Sequence, residues 1–284
     1  GGTDSWLSAL MTFGFVALLG IFQGIQGYLY SALRLQRWHL VSFPALWVLM
    51  EWMRIWFLSG FPWLFAGYGF IDTPLKHFAP LTGVMGISFA AVFLGNLLLE
   101  FIQRRGLLRI APAVAMVLVF SVAQFLQKIP WTYPDLKDPL KVALVQGNIA
   151  QELKWAPEQR QNIINTYTSL TTQLWGKADL VVWPEAAFPV FYSDALPLIS
   201  ALDAQAKQAG TAFVSGVPFW EPGAKEREVI YHNSIFSAGQ GSGIYHKQAL
   251  VPFGEYVPLE GLIRGLVPFF DLPLSSFTAG TADQ

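Results

Sequence analysis

Four long apolar stretches before residue 130 limit the possible folds more than any other feature of this chain. They cover about residues 7–33, 40–58, 81–102 and 107–126. Each is close to the roughly 20 apolar residues that a transmembrane helix needs. Their polar interruptions are mostly Gly, Ser and Gln, which helix interfaces in membranes accept. The pattern predicts a polytopic α-helical membrane bundle of about four spans, in preference to the buried core helices of a large soluble protein.

The composition agrees with a membrane location and excludes several classes of function. Hydrophobic residues make up 53% of the chain and charged residues 13%, whereas a soluble domain has about 25% charged residues. A net charge of -1 gives no sign of a nucleic-acid partner. The absence of cysteine excludes disulfides and a cysteine nucleophile among these residues. Four scattered histidines have no metal-ligand spacing, so we predict neither a metal nor another cofactor.

Basic residues between the apolar stretches predict the orientation of the bundle. The loops after the first and third stretches carry five arginines: Arg34, Arg37, Arg104, Arg105 and Arg109. In an up-and-down bundle these loops share one side, and an excess of Lys and Arg marks that side as cytoplasmic. The second half of the chain is then expected on the periplasmic side of a bacterial inner membrane.

The second stretch contains two charged residues, Glu51 and Arg54, three positions apart and therefore on one helical face. Charges inside a span are costly unless they are paired or hydrated. Two interpretations remain open. The pair snorkels to the outer interface, or it forms a polar floor beneath the path by which lipid reaches the second domain.

The pattern changes near residue 130, which divides the chain into a helical region at 1–130 and an α/β domain at 131–284. Apolar runs predict five strands, at 141–146, 179–183, 211–217, 229–237 and 243–251. Helices are predicted at 157–175, with a proline in its first turn, and at 195–209, ending at Gly210. The Gly-rich segment 239–243 predicts a hairpin turn between two strands. Alternating strands and helices predict stacked α/β layers.

Two segments of the second domain carry candidate catalytic groups. Glu185 follows an apolar strand and Pro184, which cannot continue the strand pairing. Lys247 lies within the last strand pattern, and Glu255 follows eight positions later. From the residues alone, Glu185 is more typical of a solvated turn carboxylate than of a catalytic group, and an exposed strand residue is an open interpretation for Lys247. A charge partner for a carboxylate, or a cation that stabilises an oxyanion, is the functional alternative for the lysine.

These segments resemble the nitrilase, or carbon–nitrogen hydrolase, superfamily. Trp-Pro-Glu at 183–185 and His-Lys-Gln-Ala-Leu-Val-Pro-Phe-Gly-Glu-Tyr-Val-Pro at 246–258 are similar to its Glu and Lys segments. The preceding helices, with Ser-Gly-Phe-Pro-Trp at 59–63 and Ala-Pro-Leu-Thr-Gly-Val-Met-Gly at 79–86, look like the apolipoprotein N-acyltransferase family. The resemblance implies a membrane bundle followed by an αββα sandwich domain that is incomplete at its C-terminus.

The resemblance also implies roles for individual residues. Glu185 would be the general base, Lys247 the cation that stabilises the oxyanion, and Glu255 the group that orients one of them. Three further residues are implied in substrate binding: Trp155, Trp183 and Tyr256. For Trp155, a core or interfacial position is an equally open interpretation.

The implied reaction moves an acyl chain from a phospholipid to the N-terminal amine of a diacylglyceryl-modified apolipoprotein, through a cysteine thioester. The partners would be these two lipid substrates and the membrane, and the protein would be a monomer. The cysteine would be expected on a strand beyond residues 277–280, so we expect this chain to be truncated at both ends. One alternative is a membrane-tethered amidase or nitrilase. Another is a non-catalytic transporter or scaffold, which predicts that Glu185 and Lys247 do not converge.

These 284 residues alone are therefore expected to show no acyl transfer, because the thiol is missing. The measurement is an assay with a phospholipid donor and a diacylglyceryl-cysteine peptide acceptor, in which a full-length family member serves as the positive control. Robust turnover by the 284 residues would overturn the assigned roles.

Overall fold

The computed structural model describes residues 5–57, 60–135, 137–150, 153–225, 228–252, 254–257 and 276–284. The chain divides into two compact units, Gly1–Pro134 and Asp135–Gln284. The division lies a few residues beyond the change in sequence pattern.

The first unit contains four α-helices, each on one of the predicted apolar stretches. They are α1 (Ser5–Ala32), α2 (His39–Trp56), α3 (Ala79–Gln103) and α4 (Ile110–Leu126). Position 58, the predicted end of the second stretch, lies outside the described residues. Helix α3 is kinked at Gly83, whose φ of 64° is accessible to glycine at little cost.

Three helical segments in the described part of the chain are long and apolar enough to cross a membrane: Ser5–Ala32, Pro74–Gln103 and Gly106–Leu126. Helix α2 is not one of them, so the fourth predicted span stays a prediction. It has 18 residues, and Glu51 and Arg54 within it reduce its hydropathy. Many large apolar side chains on the spans are exposed, including Phe13 and Val117, as expected for helices surrounded by lipid.

The two charged residues of α2 are buried inside the first unit, since Glu51 is 1% and Arg54 5% exposed. The Oε1 atom of Glu51 accepts hydrogen bonds from Trp47 Nε1 at 2.9 Å and from the backbone N–H of Ala66 at 2.7 Å. Arg54 Nη2 lies 3.9 Å from the same oxygen, and its guanidinium lies 5.3 Å from the ring centroid of Phe65. The pair therefore does not snorkel to the interface but ties the segment after α2 to the helix.

The second unit is built on one mixed five-stranded sheet in the order β1-β2-β3-β4-β5. The strands are β1 (Val142–Leu144), β2 (Leu180–Val182), β3 (Ala212–Pro222), β4 (Val229–Gly239) and β5 (Gly243–His246). The first three are parallel, and β3, β4 and β5 are antiparallel neighbours. The predicted hairpin joins β4 to β5. Because β5 ends at His246, Lys247 follows the strand instead of lying within it as predicted.

Helices α5 (Arg160–Thr172) and α6 (Tyr192–Ala209) cover one face of this sheet. As predicted, α6 ends at Gly210, whose φ of 68° is left-handed. The buried core lies between helices and sheet and includes Val181, Phe213 and Leu202. Side chains of the opposite face, such as Leu144 at 78% exposure, are far more open. The described residues thus form a helical layer and a sheet layer, and the second sheet of the predicted αββα sandwich is not among them.

Removing the buried carboxylate of α2 is expected to destabilise the first unit. The Glu51→Ala variant leaves Arg54 unpaired and removes two hydrogen bonds, which should lower the free energy of unfolding by about 3–5 kcal/mol. Equilibrium unfolding in mixed SDS micelles measures the loss. The double variant Glu51→Ala/Arg54→Leu is the matched control, because it leaves no buried charge unpaired and should lose less than the two single variants together. If the loss of unfolding free energy in the double variant equals the sum of the losses in the two single variants, the coupling between Glu51 and Arg54 is contradicted.

Candidate active site

The end of strand β2 places Glu185 at the edge of the sheet. Pairing continues through Trp183, whose N–H donates to Val214 O at 2.9 Å, and then meets Pro184, which has no N–H to donate. The chain turns at Ala186, a non-glycine residue with a φ of 46°. Glu185 therefore projects where parallel strands end, the position at which open α/β sheets place their functional groups.

Strand β3 holds this turn through an unusually close backbone approach at Gly216. The N–H of Gly216 donates to Pro184 O at 3.3 Å. A Cβ atom on Gly216 would lie 2.5 Å from Ala186 N and 2.7 Å from the Cα of Glu185. Lys154 supports the same turn from the loop before α5, because its Nζ donates to Glu185 O at 3.1 Å.

Two other chain segments bring Lys247 and Glu255 to the same place. The N–H of Lys247 donates to Asn233 O at 2.8 Å, which keeps Lys247 beside β4 after β5 has ended. Two hydrogen bonds between Val251 and Glu255 close the turn that carries Glu255. Glu255 N–H donates to Val251 O at 2.9 Å, and the Oε2 atom of Glu255 accepts from Val251 N–H at 2.7 Å.

The three charged groups meet at the ammonium group of Lys247. Its Nζ lies 3.3 Å from Glu185 Oε1 and 3.0 Å from Glu255 Oε1. The side-chain amide of Asn233 donates to the same two oxygens, each at 2.5 Å. The site borders a cavity of about 320 Å³ on the open face of the sheet, with Val214, Gly216 and Ile235 among its other walls. The convergence of Glu185 and Lys247 argues against a scaffold that lacks a reactive centre.

The surroundings of the site favour the charged forms of both Glu185 and Lys247. Partial burial by itself would raise the pKa of Glu185, but the hydrogen bond from Asn233 and the charge of Lys247 outweigh it and hold that pKa below the ordinary value. Burial would lower the pKa of Lys247, but the hydrogen bond to Glu255 and the charges of both carboxylates raise it. In the described ranges, no three His, Cys, Asp or Glu side chains are grouped as metal ligands.

The two carboxylates differ in what remains available to a substrate. The side chain of Glu185 is 63% exposed and that of Glu255 12%. Both oxygens of Glu255 accept hydrogen bonds, from Lys247 and Asn233 on one side and from Val251 on the other. Among the described residues, the side chains that bind Glu185 reach its Oε1 atom. Of the two, Glu185 is the carboxylate with an oxygen that can take up a proton.

The three predicted binding residues have different positions. Trp183 is 3% exposed, and its indole N–H donates to Thr171 Oγ1 at 2.8 Å within the core. The residue also contributes to the cavity wall, and its role in substrate binding stays a prediction. Trp155 is partly exposed beside Lys154, whose Nζ lies 5.9 Å from the ring centroid. Tyr256 directly follows Glu255 and is half-buried. Substrate binding by Trp155 and Tyr256 stays a prediction.

Asn233 contacts both carboxylates but was not among the predicted site residues. It lies in the middle of β4, opposite Pro218 of β3. Asparagine is depleted in strand interiors, so an Asn in the middle of a predicted strand was the available signal.

Known proteins match both parts of the chain. The model for the apolipoprotein N-acyltransferase N-terminal domain matches residues 1–97, and the model for carbon–nitrogen hydrolase matches residues 141–281. The apolipoprotein N-acyltransferase of Azotobacter vinelandii is 42% identical over all of this chain and 56% of its own length. Those of Pseudomonas syringae pv. tomato and Methylococcus capsulatus are 41% and 39% identical, again over the whole chain. The chain thus spans a little more than half the length of these relatives.

The class of protein is a carbon–nitrogen hydrolase domain that follows apolar, membrane-type helices. Since the N-terminal family model and the relatives also agree, the chain belongs to the apolipoprotein N-acyltransferase family, a family of acyltransferases. The crystal structure of a carbon–nitrogen hydrolase from Helicobacter pylori G27 aligns with 50% of this chain and 45% of its own, at 20% identity. Its TM-score of 0.31 is too low to add to the assignment.

A methyl group on Gly216 is expected to disrupt the site. In the Gly216→Ala variant the new Cβ would overlap backbone atoms of the Glu185 turn, which cannot move aside as a flexible side chain can. The unfolding temperature should therefore fall by several degrees. The matched control is Gly241→Ala, because a Cβ there comes no closer than 3.6 Å to Ser237. Equal unfolding temperatures for the two variants would contradict the close approach.

Proposed function

We propose that this chain is part of an enzyme that transfers an acyl chain from a phospholipid to the N-terminal amine of a diacylglyceryl-cysteine lipoprotein. The observation that carries the proposal is the contact of the Lys247 ammonium with Glu185 and Glu255, in a chain whose relatives are named apolipoprotein N-acyltransferase. The sequence has no cysteine, so the nucleophilic thiol comes from residues outside it.

In the first half-reaction Glu185 takes the proton of the thiol, and the resulting thiolate attacks the ester carbon of the phospholipid. The tetrahedral oxyanion lies near Lys247. An ammonium group has three N–H donors, and two of them are directed at Glu185 and Glu255, so the third remains for the oxyanion. The ester C–O bond then breaks. The leaving lysophospholipid oxygen takes the proton back from Glu185, and the acyl chain stays on sulfur as a thioester.

In the second half-reaction the amine of the lipoprotein attacks the thioester carbon. Glu185 accepts the proton that the nitrogen loses as the amide forms, and returns it to the departing thiolate. A base in this cycle must be ionised at neutral pH and accessible to both substrates. The lowered pKa and the open position of Glu185 meet these two requirements. Glu255, whose oxygens are both engaged, holds Lys247 in place.

The membrane helices supply the context that lipid substrates need. Three apolar segments make the first unit a membrane region, which gives access to a phospholipid without extracting it into water. We assign the protein to the inner membrane as a monomer, with the second unit on the periplasmic side. The orientation is supported by the arginines of the two loops, Arg34 and Arg37 in one and Arg104, Arg105 and Arg109 in the other.

A carbon–nitrogen hydrolase that uses water as the acceptor is the second candidate, because the matching model for residues 141–281 carries that name. Glu185 and Lys247 would serve it equally well. The acceptor therefore separates the candidates. An acyltransferase gives an N-acylated peptide, and a hydrolase gives free acid.

The roles are tested in a full-length family member that carries this chain. The Glu185→Gln variant keeps the size of the side chain but cannot accept a proton, so lysophospholipid release should slow at least about 10²-fold. Lys247→Met removes the cation and should slow release by about 10²–10³-fold. Mass spectrometry of the acyl-enzyme and of the released lipid measures both effects.

The matched control is Lys207→Met. Lys207 is an exposed lysine on α6 that pairs with Asp203, and its loss should leave the rate unchanged. Parent-like rates for both Glu185→Gln and Lys247→Met would contradict the proposed roles, and free fatty acid as the sole product with the acceptor peptide present would favour the hydrolase.

A further inference from the structure

The contacts around Lys247 include one side chain that has no charge of its own. Asn233 Nδ2 lies 2.5 Å from Glu185 Oε1 and 2.5 Å from Glu255 Oε1. Both neighbours are carboxylate oxygens, which only accept hydrogen bonds when ionised, so the NH₂ side of the amide must face them. An amide nitrogen carries two hydrogens, and this geometry directs one to each carboxylate.

The charges of the cluster explain why a neutral donor is needed. Two carboxylates share one ammonium group, that of Lys247, and like charges at short distance favour protonation of one of them. A second lysine would balance the charge but would also bind Glu185 strongly and reduce its basicity. Two amide hydrogens stabilise both carboxylates without adding a cation.

Asn233 also determines which oxygen of Glu185 is available. The amide and Lys247 both bind the Oε1 atom, so they leave the other oxygen of this exposed carboxylate to a substrate. The backbone of Asn233 adds rigidity, because its carbonyl accepts the N–H of Lys247 and the residue is paired within β4. One residue thus connects the base, the cation and the second glutamate.

We propose that Asn233 is a positioning residue that bridges Glu185 and Glu255, and that it keeps Glu185 ionised and aimed with one oxygen free to take the substrate's proton. Only the use of that proton in acyl transfer rests on the proposed function. The bridge itself is a property of this chain.

The direct test is the titration of Glu185 in the whole 284-residue chain, labelled with ¹³Cδ-glutamate and held in lipid nanodiscs. The signal of Glu185 is identified by its loss in Glu185→Gln. In Asn233→Asp a third carboxylate replaces the donor, so the pKa of Glu185 should rise from its lowered value to above that of an ordinary glutamate. The matched control is Asn165→Asp, the same change of charge at an exposed position on α5, which should leave the titration unchanged.

A second variant covers the case in which Asn233→Asp does not fold. The hydroxyl of Asn233→Ser can donate to only one carboxylate at a time, so it should also raise the pKa of Glu185. An unchanged Glu185 titration in the folded variants would overturn the bridge.

Activity provides the second readout, in a full-length family member. Because Glu185 must be ionised to act, Asn233→Ser should lower kcat about tenfold or more at pH 6 and progressively less as the pH rises. A purely structural role predicts an equal loss at every pH, which would overturn the positioning role. A changed Glu185 titration together with no acyl transfer by the parent enzyme would reject the proposed function and leave the bridge intact.

Discussion

The ammonium group of Lys247 lies between two carboxylates, and the rest of the site follows from that arrangement. One cation cannot neutralise two anions, so Glu185 and Glu255 are stabilised by hydrogen bonds in addition to charge. Since Glu185 is largely exposed, the ion pairs add little to stability. Their value is geometric, because they bring together three segments that are distant in sequence and direct them at one cavity.

The sheet makes this meeting possible through its mixed topology. The parallel strands β1 to β3 end at one edge and deliver Glu185 there. The antiparallel pairs place β4 and β5 side by side, so that Asn233 and Lys247 become neighbours through a backbone hydrogen bond. Side chains alternate between the two faces of a strand. Phe236 of β4 therefore packs in the core under the helices, whereas Asn233 and Ile235 border the cavity.

Sequence reasoning succeeded where the signal extends over many residues. The apolar stretches predicted α1 to α4 to within a few positions, because hydropathy is summed over a whole helix. It did not predict how α2 buries its two charges, because the partner of Glu51, the backbone N–H of Ala66, lies outside the helix. The predicted C-terminal ends of β1 and β5 lie beyond the observed ones, because apolar residues continue past the last paired position.

Within the site, the sequence predicted the residues that stand next to recognisable motifs. Glu185 and Lys247 could be found this way, because Glu185 follows Pro184 at the end of a strand and Lys247 lies in the long segment 246–258 that resembles the family's Lys segment. Asn233 could not, because its importance comes from strand pairing between residues far apart in sequence. The core packing of Trp183 could not be predicted for a related reason. Nearness to Glu185 along the chain does not tell which face of the strand a side chain occupies, and the indole lies on the core side.

The most direct test of this account is the distance between the Lys247 ammonium nitrogen and the Glu185 carboxylate. Solid-state NMR dipolar recoupling between ¹⁵Nζ-lysine and ¹³Cδ-glutamate, in membranes, measures it. The account predicts a short-range coupling, consistent with the 3.3 Å contact to Oε1, that disappears in Glu185→Gln relabelled in the same way. A Lys247 signal with no coupling to Glu185 would mean that the two groups do not share a pocket, and would contradict the central claim.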